Sequence, residues 1–162
     1  FVAHQADTVE PLRELLGFDE ASECWQAIYL KDTPLPVGDF DIRRLDLSYA
    51  PFVAEHYNGP DCLEYMQWQI NDGAMLGAFV DGELAGFIGR HDQGALGVLE
   101  VLPEYRRCGI ATALESAAIN RELQEGHVPY CHLYTDNLAS RALQQSLGLS
   151  FADKNVWWLY RK

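Results

Sequence analysis

One switch of period constrains this chain more than any other feature. Between residues 74 and 102 the apolar residues fall in three short runs, 74–80, 83–90 and 96–102, parted by Asp81-Gly82 and by Asp92-Gln93-Gly94. Past Pro103 the repeat lengthens, and Ile110, Ala113, Leu114 and Ala117 recur at the spacing of one helical face. Asp-Gly supplies the positive φ angles of a two-residue hairpin, so the three runs are expected to form an antiparallel meander that runs directly into a helix.

The rest of the chain adds elements around this unit. Residues 9–16 read as a short helix and 24–30 as an apolar strand, which Pro34 and Pro36 end; a linker follows at 36–39. A strand is expected over 40–45, then a helix to about Tyr57 with Ser48 as its N-cap, then a helix over 61–70. The long helix should stop near Gly126, and a strand over 130–135 follows. A helix after Asn137 turns Ala139, Ala142, Leu143 and Leu147 inward, with Gly148 suited to its C-cap, and a strand over 156–160 closes the chain. These elements predict an α/β (α+β) fold with one central mixed, mostly antiparallel sheet and helices on both faces. Residues 1–36 are expected to be an N-terminal extension and 37–162 the main domain.

Composition narrows the function. Twenty-four acidic against 12 basic residues give a formal charge of -12, which opposes nucleic acid and anionic lipid; it would draw cations in, but it reads first as a charge that keeps the protein soluble. No apolar run is long enough for a membrane helix, and Asp7, Glu10 and Glu14 stand where a secretory leader would be basic and then apolar. The start at Phe1 reads as a truncation. Cys24, Cys62, Cys108 and Cys131 are spread without a Cys-x-x-Cys pair, and the five histidines lack ligand spacing, so we expect a cytoplasmic protein with reduced thiols and no metal. The four tryptophans read as core.

The chemistry concentrates where the meander meets the helix, at Pro103-Glu104-Tyr105-Arg106-Arg107-Cys108-Gly109-Ile110-Ala111. A helix start exposes unpaired N–H groups and a partial positive charge, and Gly109 and Ala111 keep side chains clear of it. With Arg106 and Arg107 beside it, this cradle suits a pyrophosphate better than a single carboxylate. A glycine at such a junction also serves packing alone.

The run from Val101 to Ala111 resembles the acetyl-CoA signature of the GNAT superfamily of N-acetyltransferases, Arg/Gln-x-x-Gly-x-Gly/Ala. Thr135-Asp136-Asn137-Leu138-Ala139-Ser140, with Leu147-Gly148-Leu149, is similar to that family's Asn-x-Ala-Ser helix and terminal Leu-Gly-Phe. The likeness spans about 40–160 in element order, with a flavour of the glycine N-acyltransferase-like branch. It implies a GNAT-like sheet and transfer of an acetyl group from acetyl-CoA to an amine by direct attack in a ternary complex. It also implies that the backbone of Leu99 and Val101 pairs with pantetheine, and that Arg106, Arg107, Cys108, Gly109, Ile110, Ala111 and Thr112 surround the pyrophosphate. Asn137 would lie near the thiol end, and it is also a good helix N-cap in any protein.

Glu100, the only charge in 96–102, is the candidate base, because a carboxylate inside a buried strand should have a raised pKa. A structural Glu paired with Arg is the alternative. Two positions depart from the family: Gln144 stands where many members carry a tyrosine acid, and Ala95 where some carry a glutamate. Tyr134, Tyr105 or water could serve instead. A noncatalytic acyl-CoA-binding module is the competing reading. Residues 1–36 could cover the acceptor channel, complete a sheet or mediate a homodimer.

Overall fold

The computed structural model describes residues 1–57 and 62–161. In chain order it holds β1 (Val2–Ala3), α1 (Val9–Leu16), β2 (Glu20–Ile28), β3 (Asp41–Arg44), α2 (Ala50–His56), α3 (Leu63–Asn71), β4 (Leu76–Val80), β5 (Glu83–Arg90), β6 (Leu96–Val101), α4 (Ile110–Gln124), β7 (Tyr130–Tyr134), α5 (Leu138–Ser146), β8 (Ser150–Phe151) and β9 (Val156–Tyr160). The chain forms two compact units, one of residues 31–129 and one of 1–30 with 130–162.

In the unit of residues 31–129, β4, β5 and β6 form the expected three-stranded meander and β3 adds to the β4 edge, every pairing antiparallel. The β4–β5 turn places Asp81 at φ 52° and Gly82 at φ 88°, the left-handed pair that an Asp-Gly hairpin supplies. Helices cover both faces. Phe87 packs with Val53, Met66, Ile70 and Val98, all at most 5% exposed, so α2 and α3 lie on its face. Full burial of a side chain such as Phe87 or Met66 contributes about 1.5–3 kcal/mol. The neighbouring Gly86 points the other way: a Cβ there would meet the Glu100 carbonyl oxygen at 2.8 Å and Leu114 of α4 at 3.3 Å. α4 is anchored by polar contacts as well. Asn120 exchanges two hydrogen bonds with the Leu35 backbone (2.7 and 2.8 Å), and Arg121 donates to the Gly73 and Ala74 carbonyls (2.9 and 3.0 Å).

In the other unit, β9 lies between β1 and β2, while β2 also pairs with β7 and β8, all antiparallel. The first 30 residues therefore complete a sheet, one of the three uses open to them. Ala3, Val9 and Leu159 form its small core.

Three expectations need adjusting. Ser48 is not the cap of α2: Tyr49 stands at that position without a side-chain cap, and Asp46 caps the preceding 3₁₀ turn over Leu47–Tyr49, its Oδ1 accepting from the Ser48 N–H at 2.9 Å. β2 begins at Glu20, four residues before its apolar stretch, because its polar start pairs with β9. α3 begins at Leu63, and the expected start at Asp61 lies outside the described residues.

Candidate active site

The loop that joins β6 to α4 turns a strand end into an exposed helix start. Leu102 donates to the Ala85 carbonyl at 2.9 Å, and Pro103–Tyr105 makes a 3₁₀ turn. Arg107 (φ 65°) and Gly109 (φ 89°) are left-handed, and Cys108 between them is not. Backbone that alternates hand in this way turns successive N–H groups into one concavity, a known arrangement for anions. Gly109 is the N-cap of the 15-residue α4 and provides no side-chain cap, so the first N–H groups of the helix remain available to a ligand. Residues 106–109 and Thr112 are exposed, Ala111 is half-buried, and Ile110 is buried and anchors the helix start. Cys108 directs its thiol to the Arg106 carbonyl at 3.5 Å.

The two arginines differ. The Arg106 guanidinium folds back on the strand, Nε donating to the Val101 carbonyl at 2.9 Å and Nη2 to Glu100 Oε1 at 3.0 Å. Arg107 is the exposed cation at the cradle.

Glu100 does not sit in the buried environment expected of it. Its side chain is 30% exposed and ion-paired with Arg106, because β6 contains a bulge. Ile88 of β5 stands against both Val98 and Leu99, between the pairs Phe87↔Glu100 and Gly89↔Gly97. Val98 carries the bulge at φ 55°, a conformation that β-branched residues rarely adopt. The bulge also breaks simple alternation: Leu96, Val98 and Val101 are buried, while Leu99 and Glu100 are half-exposed.

Among the other candidates, Asn137 caps α5, its Oδ1 accepting from the Ser140 N–H at 3.0 Å. Gln144 is 2% exposed, with Oε1 lacking a hydrogen-bond partner among the described residues. Ala95 is fully buried. Tyr134 is 52% exposed, and Tyr105 lines a cleft of about 420 Å³ with Tyr49, Phe52, Glu83 and Glu104. Glu122, Glu125 and His127 bring ligand atoms within 4.8 Å of one another, but Arg90 lies 3.2 Å from Glu122 and 3.4 Å from Glu125, so their charge is already met. Among the described residues no helix is long and apolar enough to cross a membrane.

Sequence reasoning missed the bulge, since valine is a strand former and gives no sign of it. It also missed a polar group on α3, Tyr65 and Gln69, facing His91; Gly89 and Gly97 in otherwise apolar strands were the available signal.

Residues 40–149 match the model of the acetyltransferase (GNAT) family. A mycothiol acetyltransferase of Nocardiopsis dassonvillei is 28% identical over 91% of this chain, which spans 54% of that relative, about half its length. An X-ray structure of a Drosophila protein superposes with a TM-score of 0.76 at 25% identity, over 95% of this chain and 56% of that one. A GNAT-family acetyltransferase from Colwellia psychrerythraea gives 0.70 at 18% identity, over 99% and 64%.

Proposed function

This chain belongs to the acetyltransferase (GNAT) family, and on that premise we propose that it moves an acetyl group from acetyl-CoA to a primary amine by direct attack in a ternary complex. One observation carries the reading: an exposed, uncapped helix start preceded by backbone of alternating hand, beside Arg107. The cosubstrate supplies a thioester carbonyl. The N–H groups of Arg107, Cys108, Gly109, Ile110, Ala111 and Thr112 would hold its pyrophosphate, and the helix dipole would favour the negative charge. The bulge interrupts the β5–β6 ladder at Val98–Leu99, which supports backbone pairing of Leu99 and Val101 with pantetheine. Arg106, tied to Val101 and Glu100, stiffens that strand end. Asn137 is assigned to the thiol end by likeness to the family motif.

The acceptor must lose a proton, since a lysine-like amine titrates near ~10.4. Glu100 is the carboxylate proposed to meet the incoming ammonium. Its Oε1 belongs to the Arg106 ion pair, which leaves Oε2 for the acceptor. A coenzyme A thiol leaves readily, so a buried Gln144 in place of an acid does not stop the reaction. Four free cysteines support a reducing, cytoplasmic setting.

The test is release of CoA from acetyl-CoA in the presence of polyamines, amino acids and peptides with free N-termini. Amine-dependent release supports transfer. Tight acetyl-CoA binding without release to any amine would favour the noncatalytic module.

A further inference from the structure

On the face of β5 and β6 that α3 covers, two glycines stand opposite each other, Gly89 and Gly97. The room they leave is filled by polar side chains. A Cβ on Gly89 would collide with Gln69 Oε1, and one on Gly97 would lie 2.5 Å from His91 Nε2. Tyr65 and His91 are joined through the Tyr65 hydroxyl and His91 Nδ1 at 2.7 Å, with their rings tilted by only 17°. Trp68, exposed rather than the core residue expected, stacks on Tyr65. Gln69 is fully buried with its amide against the Tyr65 hydroxyl, a contact too poorly aligned to satisfy either its nitrogen or its oxygen among the described residues. Buried amides are normally well satisfied, so one met only by a poorly aligned contact to a half-buried tyrosine marks a place where a polar atom of a ligand or a water belongs.

Register places this group relative to Glu100. Phe87 and Gly89 are two residues apart on β5 and share a face, and their partners on β6 are Glu100 and Gly97. The polar group and the Glu100 side chain therefore lie on the same face, over strand positions about 7 Å apart, with the bulge between them.

Resting on the acetyl-transfer reading, we propose that Tyr65 and His91 are a proton relay for the acceptor amine, with Gln69 as a positioning residue and Glu100 holding the ammonium. In the tautomer with the His91 proton on Nε2, Tyr65 donates to Nδ1. A proton of the ammonium passes to the Tyr65 oxygen while the phenolic proton moves to Nδ1, leaving a neutral amine and an imidazolium. The nitrogen lone pair then forms the C–N bond at the acetyl carbonyl, and the C–S bond breaks. The second proton leaves the nitrogen during this collapse and ends on the thiolate; the imidazolium gives the first to solvent.

The charge states agree with this order. Burial lowers the His91 pKa below its ordinary 6.5, an effect that Asp92 only partly opposes, so the ring is neutral and able to accept at pH 7. Burial raises the Tyr65 pKa, against the pull of the nearby Gln69 amide and with the help of Asp92. The phenol keeps its proton and acts as a conduit. The ionisable groups that bear on the couple are Asp92 and, near Tyr65, Tyr57.

The experiment compares His91→Asn and Tyr65→Phe with wild type, using CoA release with two acceptors. Spermidine is cationic and must be deprotonated, whereas hydroxylamine is already neutral at the assay pH. The relay predicts that both variants lose about 10²-fold or more with spermidine and stay close to wild type with hydroxylamine. It also predicts that the acidic limb of the wild-type kcat profile, centred below 6.5, vanishes in His91→Asn. Acetyl-CoA should raise the melting temperature of both variants as it does for wild type, which shows that they fold and bind. Equal losses with the two acceptors, or an unchanged acidic limb in His91→Asn, would overturn the relay. Failure of acetyl-CoA to stabilise wild type would instead remove the transfer reading on which it rests.

Discussion

Glu100 near the end of β6 and Gly109 at the start of α4 flank one short loop, and single substitutions separate their tasks. At Gly109, φ is 89° and a Cβ would meet Phe40 at 3.4 Å, so Gly109→Ala is expected to cost about 1–2 kcal/mol of stability from the left-handed backbone alone. Gly109→Glu adds a carboxylate at the anion site. It should match the alanine variant in chemical denaturation while losing acetyl-CoA binding in calorimetry; equal affinities for the two would place the pyrophosphate elsewhere. Glu100→Gln keeps shape and removes charge. If Glu100 holds the ammonium, KM for spermidine rises more than kcat falls; loss of kcat together with its acidic limb would make Glu100 the base itself. Cys108 offers a direct reporter, because it is exposed beside the cradle, whereas burial pushes the Cys24 thiol up to about 12. Iodoacetamide should label Cys108 ahead of Cys24, and saturating acetyl-CoA should slow that labelling, as read by mass spectrometry of the peptides.

At the scale of elements, the legible features were those set by local backbone rules. Asp81-Gly82 gives its hairpin, Gly126 and Gly148 take positive φ at the two helix ends, and Asn137 caps α5. The cradle at the start of α4 was legible for the same reason, since a glycine at a strand-to-helix junction and flanking arginines are all local. What escaped depends on residues brought together by packing. Arg106 reaches Glu100 only because the Pro103–Tyr105 turn brings the chain back over the strand end, and that pairing replaced the buried carboxylate suggested by a simple strand. The bulge at Val98 runs against valine's own preference, and two-residue strands such as β1 and β8 are too short to carry a period. Gln69 gives a test at this scale. A buried amide met only by a poorly aligned contact to Tyr65 costs up to about 1–3 kcal/mol, so Gln69→Met should raise the melting temperature while lowering turnover. A stabilised variant with full turnover would make Gln69 a packing residue only.

For the whole molecule, the pH dependence of stability should carry the mark of His91. Its folded pKa lies below the unfolded 6.5, so between those two values the unfolded chain binds more protons, and stability falls as pH drops through that window. His91→Asn should flatten this part of the curve in denaturant melts at a series of pH values. The formal charge of -12 bears on partners more than on fold; if it steers cationic acceptors, their capture should weaken as salt rises, and if it serves only solubility, it should not. The central claim is that the cradle at the start of α4 binds acetyl-CoA. The most direct measurement is the melting temperature of the protein against acetyl-CoA concentration, with calorimetric titration alongside. A ligand that binds only the folded state adds about 2.7 kcal/mol of stability at one hundred times its Kd, so the account predicts a saturable heat of binding and a melting temperature that keeps rising with acetyl-CoA. A melting temperature independent of acetyl-CoA, with no heat of binding, would contradict it.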